Sequence, residues 1–150
     1  MTTLITPGQA PASNSGSAGS LSMSILDQIE TPGGAARVAQ QLLEARRKNL
    51  QAQLWPRNLV NVMGYDNLQV GNTKLALEIL KLNVLGYPES ADANDSLGDA
   101  YLANGEKDLA RQCAEKALAL LASDTKESEA RRDAIRESAQ QKLNQLGATH

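Results

Sequence analysis

The chain has 150 residues and a net charge of −2, the length of one domain with no basic field, which excludes sequence-independent binding to nucleic-acid phosphates. Aromatic residues make up 3% and phenylalanine is absent, so a core must be built mostly from Leu, Ala, Val and Ile. No apolar run approaches the roughly 18 residues of a membrane span, and the amino terminus lacks the plan of a signal peptide; the chain reads as soluble and cytoplasmic, with no membrane partner.

Residues Met1–Ser20 are rich in Ser, Gly, Pro and Asn. Such a stretch buries too little surface to offset the entropy of ordering it, and a disordered tail is expected over 1–20. A helical domain is expected over 21–147. Leu21, Ile25 and Ile29 recur at helical spacing up to Thr31-Pro32-Gly33-Gly34. Beyond them the pattern predicts a long helix from about Ala35 to Leu54, burying Ala35, Ala39, Leu42, Leu43, Leu50 and Leu54.

The middle of the chain matches itself at an offset of 34 residues. Gly64, Leu68, Gly71, Leu75 and Ala76 recur as Gly98, Leu102, Gly105, Leu109 and Ala110. A period of this size signals stacked helix–turn–helix units, here 57–90 and 91–124. Gly64 and Gly98 fall inside helices, where glycine costs about 1 kcal/mol against alanine, so close packing against the helix bearing Ala76 or Ala110 should offset them. Gly71 and Gly105 stand between the two helices of each unit, where a positive φ ends the first. Beyond them Leu75, Ile79 and Leu82, then Leu109 and Cys113, keep helical spacing, and Pro88 closes the first unit. A degenerate unit is expected over about 21–56. Its Gly34, Ala39 and Leu43 precede Gly71, Ala76 and Leu80 by 37 residues, with three inserted near Trp55–Pro56.

The carboxyl end reads as one more helix over about 125–146. Ala130, Ala134, Ile135, Ala139, Leu143 and Leu146 form a narrow apolar stripe, Gly147 a stop, and Arg131, Arg132, Glu137 and Lys142 belong to the polar faces. Such a helix caps a repeat array and keeps it in solution. The other reading is a seam for self-association or a partner helix.

On these residues the chain resembles the tetratricopeptide (TPR) repeat family. The family's small residue falls on Gly64 and Gly98 and its alanine on Ala76 and Ala110. Its aromatic is met by Tyr101 but replaced by Asn67, and its tryptophan is absent from both units. The resemblance implies an all-α, right-handed superhelical stack of helix–turn–helix repeats with a C-terminal capping helix. Its function would be to bind another protein or a peptide along the concave face. The groove positions would fall on Asn58, Asn61, Val62, Tyr65, Leu68 and Gln69, then on Asp92, Asp95, Ser96, Asp99, Leu102 and Ala103. Tyr65 and Leu68 would give an apolar floor and the three aspartates a negative rim, so the expected partner is basic with an apolar anchor. The plainer reading is that the aspartates favour a helix start, which suits Asp92 and not Asp99. The run from Asn83 to Leu102 is also similar to repeats that trail serine-hydrolase domains in some bacterial proteins. That likeness implies an accessory or dimerising helical domain as the alternative.

Catalytic material is sparse. His150 is the only histidine and Cys113 the only cysteine, so a histidine relay, a disulfide and a CxxC metal site all lack their residues. Ser123-Asp124-Thr125-Lys126 and Tyr65-Asp66-Asn67 imitate two serine β-lactamase motifs, but in the wrong order and without KTG. Both are rejected. No enzyme activity, metal or cofactor is expected.

Overall fold

A computed structural model describes residues 25–148, so the expectations for Met1–Ser20 and His150 lie outside the described residues. The protein is all-helical, with no strand among the described residues. A short helix over 25–29 is followed by six longer ones: α1 (Gly34–Lys48), α2 (Leu59–Gln69), α3 (Thr73–Gly86), α4 (Ala91–Ala103), α5 (Lys107–Leu121) and α6 (Glu129–Ala148). From α2 onward each helix packs on the next, while α2 touches α4 and α4 touches α6. Three helices therefore share one side of the array.

The turns follow from glycine. Gly71 and Gly105 have φ of 88° and 78°, in the left-handed region that a side chain disfavours. Each turn closes the same way: the amide of Asn72 donates to the carbonyl of Asn67, and that of Glu106 to that of Tyr101, both at 2.9 Å. These bonds satisfy carbonyls left over at the ends of α2 and α4. The upstream turn is made by Gly33, φ 72°, and not by Gly34. Gly34 opens α1 directly and is pressed onto α1's predecessor, since a Cβ there would lie 1.5 Å from the carbonyl oxygen of Gln28.

The largest apolar cluster joins Ile25 and Ile29 to Val38 and Leu42 of α1, Val60 of α2, and Ile79 and Leu82 of α3. Trp55, in the segment before α2, completes it. Its ring lies where a Cβ on Gly86 would come within 2.4 Å, and its Nε1 donates to Asn83 Oδ1 at 3.0 Å. Arg46 donates to the carbonyls of Leu85 and Gly86 at 3.1 and 2.8 Å, satisfying the C-terminal end of α3. Helix α1 ends earlier than its apolar pattern suggests. Asn49 turns extended, so the helix stops at Lys48 and not at Leu54. Leu50 is consequently 82% exposed, and Leu43, one position off the Val38–Leu42 face, is 46% exposed.

Asp124 ties the second unit back to the first. Its buried carboxylate accepts from Arg57 at 2.9 and 3.0 Å and from the first amide of α4, Ala91, at 2.9 Å. Ser90 caps the same helix by accepting from the amide of Ala93. The tetrad that imitates a hydrolase motif is thus a structural knot.

Two features of α6 differ from expectation. Gly147 is no stop, because the helix continues through Ala148. Its buried stripe is Ile135, Ala139, Lys142 and Leu146, while Ala130 and Ala134 are exposed. These four sit at i, i+4, i+7 and i+11, one face of a helix, with a lysine in its middle.

Gly64 and Gly98 are both close-packing sites, although their nearest contacts are not Ala76 and Ala110. A Cβ on Gly64 would meet Leu80 at 2.4 Å, whereas one on Gly98 would meet Lys142 at 3.3 Å and Cys113 at 3.4 Å. Leu80 is fully buried and has nowhere to retreat, so Gly64→Ala should lower stability by about 1–3 kcal/mol despite its better helix propensity. Gly98→Ala should stay within about 1 kcal/mol of the wild type, since propensity offsets a mild contact. Urea unfolding of the two variants checks the order; a Gly64→Ala protein as stable as the wild type would contradict it.

Candidate functional site

The side shared by α2, α4 and α6 contains a cleft of about 480 Å³. Helix α2 contributes Asn61, Val62 and Tyr65, with Asn58 just before it, and α4 contributes Asp92 and Asp95. Asn58 and Asp92 are equivalent across the 34-residue offset, as are Asn61 and Asp95. The repeat therefore delivers matched positions from the first helices of the two units to one concavity. Opposite them stand Arg131, Ala134, Ile135 and Ser138 of α6.

The remaining groove candidates go elsewhere. Leu68 is half-buried and packs against the cluster of Leu80, Leu97, Ala100 and Cys113, away from the cleft. Its place on α2 turns it toward the α3–α4 seam. Gln69 is exposed at the end of α2, Leu102 is half-buried near the end of α4, and Ser96 is buried. None of these lines the cleft. Its apolar contribution comes instead from Val62, 53% exposed, with Ala134 and Ile135 opposite.

The three aspartates are not a free rim. Lys142 Nζ lies 2.8 Å from Asp95 Oδ1, 3.0 Å from Asp99 Oδ1 and 2.9 Å from Ser138 Oγ, with both the Lys142 and the Asp95 side chains about 95% buried. Arg131 Nη2 lies 2.8 Å from Asp92 Oδ2. Asp99 also accepts a hydrogen bond from the Tyr65 hydroxyl, so one network links all three helices. Burial pushes the Asp95 carboxyl above the usual carboxylate range, and the adjacent Lys142 ammonium pulls it part of the way back. Asp92 is shifted the same way by burial, opposed by Arg131. The Tyr65 hydroxyl is pushed well up, first by burial and then by the neighbouring Asp99 charge, so it stays protonated and donates.

Lys142 and Arg131 were invisible to composition because charge assigned them to an outer face. The signal that finds them is spacing: Lys142 falls on the same helical face as Ile135, Ala139 and Leu146. Among the described residues, no three His, Cys, Asp or Glu side chains are grouped to hold a metal ion, and no helix is long and apolar enough to cross a membrane.

Cys113 is buried against Gly98, and burial is the main cause that pushes its thiol up to about 11. Only the thiolate is nucleophilic. Against an ordinary cysteine near 8.5, alkylation by iodoacetamide at pH 8 should be slower by about two orders of magnitude, and denaturation should restore it. Labelling of the folded protein at the rate of free cysteine would show the thiol to be open. No protein-family model matches this sequence, and no curated protein matches it significantly.

Proposed function

We propose that the chain is a TPR-type module, a right-handed superhelical stack that holds another protein or a peptide and carries out no chemistry of its own. The observation that carries this reading is the cleft into which repeat-equivalent residues of α2 and α4 converge. The repeated glycine turns and the succession α2–α4–α6 on one side are what such a stack requires. Asn58 and Asn61 offer amides that suit a peptide backbone, and Val62 offers an apolar contact. The aspartates, already paired with Arg131 and Lys142, give the cleft as it stands little preference for a basic ligand. On this reading the partner is another protein met in the cytoplasm.

Selection of a random peptide library against the full chain tests the reading. Enriched peptides should shift the backbone amide resonances of Asn58, Asn61, Val62 and Tyr65. Val62→Glu should weaken them at least tenfold, whereas Lys116→Glu, on the exposed face of α5, should leave them unchanged. Peptides that bind the Val62→Glu protein with undiminished affinity would place recognition on another face and overturn the proposal.

A further inference from the structure

The inner face of α4 presents Asp92, Asp95 and Asp99, and α6 answers these three carboxylates with two cations, Arg131 and Lys142. The rest of that seam is small and apolar: Ile135 meets Ala91 and Leu121, and Ala139 meets Ala114 and Ala117. Gly98 leaves the space along which the Lys142 stem runs. We propose that this face is a receptor for a cationic amphipathic helix, filled in cis by α6 and open in trans to a partner helix of the same design. The inference rests on the partner-binding reading above and adds the partner's chemistry and its regulation: α6 competes with it.

The occupant can be specified from the seam itself. It carries a lysine or arginine where Lys142 stands, a small residue three positions earlier, and an apolar residue four positions later. A second cation eleven positions before the lysine meets Asp92. The charges suit this occupant alone, because an acidic helix would face three carboxylates without a cation. Release of α6 breaks the bond from Arg132 to the Asp124 carbonyl, 2.7 Å, but leaves the Asp124 carboxylate held by Arg57 and by the Ala91 amide. With that anchor in place the chain would turn at residues 125–128, where Glu127 would part from Arg131 and keep Arg57.

A labelled synthetic peptide of residues 129–148 serves as the probe, titrated against the full chain. In Lys142→Met the cis helix loses its ammonium but keeps an aliphatic stem beside Gly98, so the peptide should bind this variant at least tenfold more tightly than it binds the wild type. The gain should vanish when the peptide carries the same Lys142→Met change, and when Asp95→Asn and Asp99→Asn are added to the chain. If the methionine variant does not fold, Lys142→Gln carries the same comparison. Equal binding to wild type and variant, or equal binding by the lysine and methionine peptides, overturns the proposal. Library peptides that still map to Val62 in that event would leave the partner-binding reading standing. Loss of the library peptides alone, with the 129–148 peptide bound, would remove only that reading.

Discussion

A lysine ammonium leaves water only when its hydrogens find acceptors. Removing it without them costs several kcal/mol even after the protein relaxes. Lys142 has three donors and three acceptors: one oxygen each from Asp95, Asp99 and Ser138. Two of these belong to α4 and one to α6 itself, so the ammonium is satisfied at a single rotation and height of α6 on α4. The wall of the cleft depends on that placement, because Arg131, Ala134, Ile135 and Ser138 follow from it. The tie extends to α2 through Asp99, which accepts from Tyr65.

The two internal glycines show one sequence mark used for two kinds of packing. Gly64 admits the branched end of Leu80, an apolar contact inside the first unit. Gly98 admits Cys113 and the methylenes of Lys142, so the stem packs as a hydrophobe while the head is bonded beyond it. The chain thus carries a dry seam between its first helices and a charged one at its end. The charged seam is the one that α6 makes with α4.

Much of the helical plan was legible because it rests on backbone geometry. Gly71 and Gly105 declare themselves by a 34-residue offset and adopt the positive φ that their place requires. Cys113 was legible as a buried residue for the same reason, being one member of a periodic face. Illegible features depend on long-range partners. Leu68 looks like a groove residue by position, yet Leu80, Leu97 and Ala100 claim it. Leu50 looks like core by helical spacing, yet Asn49 turns extended and the helix ends before reaching it. Lys142 was misplaced by its charge, although its spacing was correct all along.

A seam as small as that of α6 would tolerate sliding if it were wholly apolar. Ala114, Ala117 and Ala139 present similar surfaces, and shifting α6 by one turn, about 5.4 Å, would exchange one small contact for another. The lysine removes that freedom. Displaced by a turn, its ammonium would leave Asp95 unpaired in a buried site, and breaking a buried pair costs about 3–5 kcal/mol. A well-packed hydrophobe in its place could contribute as much stability, but it would not distinguish one register from the next. The charge therefore fixes where α6 sits, and through α6 it fixes the shape of the cleft.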